Sequence, residues 1–136
     1  MQPSEAVDFA KKFFHGQDRL KGPLPPELLA ASYRADITGF PPMGAGGHGE
    51  FGRAFYVAFP DVAHTIDEAH PTDDGIAIRF TLRGTHRGPF MGVPATDKPI
   101  EVSAIVLMTL DRGQVTHLRG IFDQMGLMRQ IGVIPS

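Results

Sequence analysis

Apolar positions along this chain follow two rhythms, helical at first and alternating later. Ala6, Phe9, Ala10 and Phe13 recur at i, i+3, i+4 and i+7, which predicts an amphipathic first helix. Ser4 sits in an N-cap position and Gly16 marks a stop. Lys21 to Pro26 reads as punctuation, with Pro26 opening a short helical turn through Leu28, Leu29 and Ala30. Tyr33 to Thr38 reads as a short strand. The run Gly39-Phe40-Pro41-Pro42-Met43-Gly44-Ala45-Gly46-Gly47-His48-Gly49 is too rich in breakers for a regular element and predicts a mobile loop or lid. It lacks the Lys-Ser/Thr ending of a phosphate-binding loop. From Glu50 the helical spacing returns at Phe51, Ala54, Phe55 and Ala58, and Pro60 closes that helix.

After Pro60 the period changes. Val62 to His70, Gly75 to His86, Pro99 to Leu110 and Gln114 to Phe122 each predict a strand, with hairpin turns at Asp73-Asp74-Gly75 and Asp111-Arg112-Gly113. A short helix from Gln124 to Ile131, stopped by Gly132, completes the chain. Helices, then antiparallel strands, then a closing helix is an α+β order without the alternation of a dinucleotide-binding fold. A curved, mostly antiparallel sheet wrapped by the N-terminal helices would enclose a pocket between the layers.

Composition narrows the function classes. The 136 residues make one domain, 1–136, large enough for a core without staples. With no cysteine, disulfides, thiolate metal sites and a cysteine nucleophile are excluded. Thirteen basic against fifteen acidic residues, with no basic patch, leave no electrostatic footprint for nucleic acid. No apolar run approaches the roughly 18 residues of a membrane span, and the acidic N-terminal segment does not read as a secretory signal, so the expected compartment is the cytoplasm. Ten Phe against two Tyr and no Trp suit either a greasy cavity or a plain core.

Candidate chemistry sits late in the sequence. Alternation puts His117, Arg119, Ile121 and Asp123 on one face of the Gln114–Phe122 strand, a polar column that a sheet buries only when its members pair or work. Two roles fit Asp123, and they can coexist. It can be a general acid or base whose pKa is raised at the edge of an apolar pocket, or the N-cap of the last helix, which position alone favours. His86, in the glycine-dense segment Gly84 to Gly92, can protonate or bind an oxygen substituent, or bond to backbone as a loop histidine. Tyr33, Asp36, His48, Phe55 and Tyr56 are candidates to line the pocket from the helical side, and for the polar ones a structural place fits better. His64 and His70 share a face by alternation but are well separated, and no His-x-His or Glu-x-x-His pair occurs, so no metal is expected. No Gly-x-Ser-x-Gly elbow is present.

The segment Gly84-Thr85-His86-Arg87-Gly88-Pro89-Phe90-Met91-Gly92-Val93-Pro94-Ala95-Thr96 is similar to the Gly-Thr-His-x-Gly-x-Phe-x-Gly-x-Pro-Pro-Thr-Gly pattern of SnoaL-like polyketide cyclases. Phe59-Pro60-Asp61 and Asp123-Gln124-Met125-Gly126-Leu127-Met128-Arg129-Gln130-Ile131-Gly132 also resemble that family. The resemblance implies the cone-shaped nuclear transport factor 2-like fold with an internal pocket, and a homodimer or homotetramer. It also implies ring closure of a hydrophobic oxygenated polyketide, as in antibiotic biosynthesis, by intramolecular aldol chemistry without a cofactor. By motif position it implies Asp123 as the catalytic acid/base, with His86 beside it. Thr109, Arg119 and His117 stand where the family often has a basic residue, a Trp and a Glu. His86, His117 and Arg119 are then the candidates to hold or polarise the enolate oxygen. A hydroxylase and a non-catalytic small-molecule binder of the same fold are the alternatives.

Overall fold

The computed structural model describes residues 1–135. Helix α1 spans Pro3–Leu20, a 3-10 turn Pro26–Leu28 leads into β1 (Leu29–Ile37), and α2 spans Ala45–Ala58. Strands β2 (Ala63–Pro71), β3 (Gly75–Thr85), β4 (Pro99–Asp111) and β5 (Gln114–Phe122) follow, and α3 (Gln124–Gln130) closes the chain. The architecture is α+β, with one open, curved sheet in the order β1-β5-β4-β3-β2.

Three sequence expectations are corrected. Helix α1 starts at Pro3, where Glu5 accepts a hydrogen bond from the Gln2 backbone N–H at 2.8 Å, and it runs through Gly16. That glycine is there because the helix presses on Pro25: a Cβ would lie 2.4 Å from the proline ring. Secondly, β1 is longer than Tyr33 to Thr38 and pairs parallel to β5, so the sheet is mixed. Thirdly, the Gly/Pro run is no free loop. Met43 bridges to Ala35 of β1 through both backbone hydrogen bonds, and α2 begins at Ala45. Glycine serves the helix here, since Gly52 lets α2 lie on the 21–23 turn with a virtual Cβ only 2.5 Å from the Gly22 carbonyl.

The two faces of the sheet differ sharply. Ile100, Val102, Ala104, Val106 and Met108 of β4 point inward with Phe80 and Leu82 of β3 and Leu118 of β5. Alternation sends their neighbours out, leaving Ile105, Leu107 and Ile121 exposed. Helix α1 packs against β2, α2 against β1 and α3 against β4. Phe13 and Phe59 are fully buried where helices and sheet meet. Burial of a ring that size stabilises the fold by about 2–3 kcal/mol.

The Gly-Thr-His segment is a packing device at one end of this core. Backbone N–H groups of Arg87 and Gly88 both donate to the Ala58 carbonyl at the end of α2, at 3.0 and 3.1 Å. His86 pairs with the returning chain through Lys98 and Asp97, and its Nδ1 meets the Thr96 hydroxyl at 2.9 Å. Phe90 and Val93 close the tip as a small bridge.

Candidate active site

Between α1, α2 and the inner face of the sheet lies a cavity of about 80 Å³. Its walls are mostly apolar, with Phe14, Phe51, Phe55, Phe80 and Phe122 among them. Two histidines interrupt that lining, His64 and His48. A second hollow of about 160 Å³ lies under Phe40, Phe90 and Met91 and shares Phe51, Phe55 and Phe122 with the first.

His64 reaches the cavity because β2 alternates: Ala63 and Thr65 face out and His64 is buried. Its ring packs in a three-ring cluster with Phe14 and Phe80, at centroid distances of 4.8 and 4.9 Å, and those two rings touch each other at 4.5 Å. Asp18, one turn after Phe14 on the same face of α1, meets it. The Asp18 carboxylate accepts from the His64 backbone N–H at 2.9 Å, from His64 Nδ1 at 2.7 Å and from the Tyr56 hydroxyl at 2.5 Å. Burial works to raise the Asp18 pKa, but the hydrogen bonds and charge from His64, with the Tyr56 hydroxyl, outweigh it and hold the carboxyl below its ordinary value. Tyr56 is pushed far up by burial and by Asp18, so it remains a donor. An ionised carboxylate can only accept, so Nδ1 carries a proton, and in the neutral form of the ring the lone pair lies on Nε2. This is an Asp–His dyad with an oriented imidazole in an apolar cavity.

His48 enters from the first turns of α2. Its Nδ1 lies 2.8 Å from the hydroxyl of Tyr33 on β1, and both residues are buried. Burial pushes His48 down to about 4 and pushes the Tyr33 phenol well up, so both are neutral at ordinary pH.

The remaining candidates lie elsewhere. Asp123 is exposed and does not line the cavity; it caps α3, accepting from the Gly126 N–H at 2.8 Å. The expectation that it borders the internal pocket is corrected, because the strand's alternation turns Phe122 inward and leaves Asp123 outside. His117, Arg119 and Thr109 also belong to the outer side of the sheet. His117 is paired with Asp36 at 2.5 Å, and Arg34 joins Asp36 at 3.1 Å. Hydrogen bonding from His117, with help from Arg34, holds Asp36 below its ordinary pKa. The polar column therefore pairs with β1 in contact with solvent. Arg119 is exposed beside it, and the Thr109 carbonyl accepts from the Thr116 hydroxyl at 3.2 Å. His86 is fully buried outside the cavity lining, tilted against Phe59 at 5.3 Å, and its Nε2 has no partner among the described residues. Its place is in the packing of the 86–98 loop. Phe55 and His48 line the cavity as expected, and Tyr33 supports His48. His70 does not share the His64 face, since a bulge between Ile66 and Glu68 turns it out to Glu68.

Sequence reading missed Asp18 altogether, treated His64 only as a metal candidate and set Tyr56 aside as structural. The available signal was a polar residue inside each apolar frame: Asp18 at i+4 from Phe14, and His64 between Val62 and Ile66 in the alternation.

Replacing Asp123 by Ala removes the cap of α3. The expected result is a loss of about 1 kcal/mol in chemical denaturation, with any catalytic turnover unchanged. Turnover lost in a folded Asp123→Ala protein would instead move the chemistry to the outer face.

The sequence profile of the family described as SnoaL-like polyketide cyclase matches residues 5–131. The chain belongs to the SnoaL-like polyketide cyclase family. No curated protein matches it. Among solved structures, this SnoaL-like chain is similar to AclR of Streptomyces galilaeus, provisionally named a hydroxylase, at 18% identity and a TM-score of 0.86 over 99% of this chain and 85% of that one. It is similar to a protein of Jannaschia provisionally named a SnoaL-like polyketide cyclase, at 20% identity and TM-score 0.81, over 98% and 95% of the two chains. It is also similar to IdmH of Streptomyces antibioticus, provisionally named a polyketide cyclase, at 25% identity and TM-score 0.76, over 97% and 99%. These likenesses give the nuclear transport factor 2-like fold. Membership supports a cyclase-like function. Among the described residues no helix is long and apolar enough to cross a membrane.

Proposed function

We propose that this protein is an acid/base enzyme that closes a ring in a hydrophobic, oxygenated, polyketide-derived molecule by an intramolecular aldol reaction, with His64 as the base. The observation that carries this reading is the Asp18–His64 dyad at a cavity whose walls are mostly aromatic and aliphatic groups. Asp18 fixes the tautomer and would stabilise the imidazolium formed when Nε2 takes an α-proton. Apolar walls lower the local dielectric, which strengthens that charge interaction. No cofactor is needed for this chemistry. Rotation of Phe51, Phe55 and Phe122 would join the two hollows and admit a substrate larger than the first.

Heptane-2,6-dione is a minimal probe, since its intramolecular aldol closure and dehydration give a cyclohexenone lighter by one water. The expected result is accelerated formation of that product by the protein and not by buffer. A product heavier by one oxygen atom would favour a hydroxylase, and no acceleration would contradict the reading.

A further inference from the structure

A base alone does not make an enolate stable. The negative charge that leaves a C–H bond collects on the carbonyl oxygen, and a preorganised donor at that oxygen is usually the largest single contribution to catalysis. The outer-face groups His117 and Arg119 cannot supply it, because the sheet stands between them and the cavity. Inside, the dyad leaves two polar lining residues unused: Gln17, whose Nε2 is spent on the Gly22 carbonyl at 3.0 Å, and His48, backed by Tyr33.

We propose that His48 is a second catalytic residue, whose Nε2–H donates to the substrate carbonyl oxygen while the Tyr33 hydroxyl fixes the tautomer that makes this possible. This rests on the acid/base reading of the same cavity. The Tyr33 hydroxyl makes one hydrogen bond among the described residues, to His48 Nδ1 at 2.8 Å. A buried hydroxyl spends its proton where an acceptor exists, so Tyr33 donates, Nδ1 accepts and the ring proton sits on Nε2. Helix α2 reinforces that state. His48 is the fourth residue of Ala45–Ala58, and the positive end of the helix disfavours an imidazolium there. A neutral imidazole with its N–H aimed at a carbonyl is a competent electrophile. Stacking of the Tyr33 and His48 rings, 9° from parallel at 6.0 Å, keeps the pair rigid.

The two imidazoles thus hold opposite roles through opposite second partners. A carboxylate on Nδ1 makes His64 Nε2 a base; a phenol on Nδ1 makes His48 Nε2 a donor. In the step itself, the α C–H bond breaks and its proton goes to His64 Nε2. The bonding pair becomes the enolate double bond, and the carbonyl π pair moves onto the oxygen held by His48. The enolate carbon then attacks the second carbonyl of the same molecule, and the proton on His64 passes to the new alkoxide. The dyad returns to its starting state with no oxidant or reductant required. The substrate class follows: a dicarbonyl compound carrying an acidic α-hydrogen within an apolar skeleton.

Nitrogen-15 NMR of the labelled protein reads the tautomer directly. The expected spectrum shows His48 with a protonated Nε2 and a bare Nδ1, and Tyr33→Phe loses that preference. The probe 4-fluorophenol, a stand-in for the enol, should bind wild type, weaken about tenfold in His48→Ala, and recover in part in His48→Gln, which keeps an N–H donor. A proton on Nδ1, or equal binding by wild type and His48→Ala, would overturn the assignment. The diketone reaction separates the two claims. Ring closure at an unchanged rate in His48→Ala sinks the role of His48 and leaves the acid/base reading standing. No closure by wild type, with the tautomer and the phenol binding as stated, sinks that reading and leaves an oxygen-binding site.

Discussion

Replacing His64 by Ala is expected to slow ring closure of heptane-2,6-dione by about 10²- to 10⁴-fold, the range a positioned general base contributes. Asp18→Asn should cost at least about 10²-fold, because an amide can present its N–H to Nδ1 and turn the ring to the wrong tautomer. Both changes disturb a buried network, so loss of activity alone could reflect loss of fold. Imidazole in solution separates these causes. Removing the His64 ring opens a hole beside the touching pair Phe14 and Phe80, where free imidazole can pack. Added imidazole should restore part of the rate in His64→Ala and none in Asp18→Asn, which still carries its own ring. A folded His64→Ala protein with the wild-type rate would remove the dyad from the mechanism.

Acid should destabilise this protein well before its carboxylates titrate. His48 is 6% exposed and is held at about 4, against about 6.5 for a free imidazole. Its folded pKa lies below its unfolded one, so between those values the unfolded chain binds a proton that the folded chain refuses. Stability is therefore complete above about pH 6.5 and is lost as pH falls toward 4, by about 2–3 kcal/mol at pH 4.5. Asp18, held below its ordinary value, adds a further loss at lower pH as its carboxyl takes up a proton. Urea denaturation at pH 7.5 and pH 4.5 checks the first effect. Wild type should lose more than His48→Gln by that margin, and equal losses would mean that His48 is not neutral by burial.

Much of the architecture was legible because periodicity reports burial. The strand spans and both Asp-Gly-type turns follow from alternation and turn chemistry, and α1 and α2 from helical spacing. Errors cluster where tertiary contact overrides local preference. Gly16 reads as a helix stop, yet it is the residue that lets α1 touch Pro25. The Gly/Pro run reads as a lid, yet Met43 pairs with Ala35 and Ala45 opens α2. Parallel pairing of β1 with β5 has no local signature at all.

The site was harder to read for a related reason. Asp18 and His64 are 46 residues apart, and only the packing of α1 on β2 joins them. Motif matching drew attention to Asp123 and His86, which the fold uses as a helix cap and a loop pin. A sequence motif marks what a family keeps in common, and here those residues shape the frame around the cavity. The groups that face the cavity are single polar residues scattered through apolar stretches.

Deuterium uptake tests the central claim most directly. Heptane-2,6-dione is incubated in D₂O with wild type and with His64→Ala, and the unreacted diketone is recovered and weighed by mass spectrometry. Removal of an α-proton by His64, exchange of that proton with D₂O and its return to the carbon in turnovers that do not close the ring predict deuterium in the diketone recovered from wild type, and only the buffer level from His64→Ala. Equal uptake in both proteins, or none above buffer in either, would contradict the account.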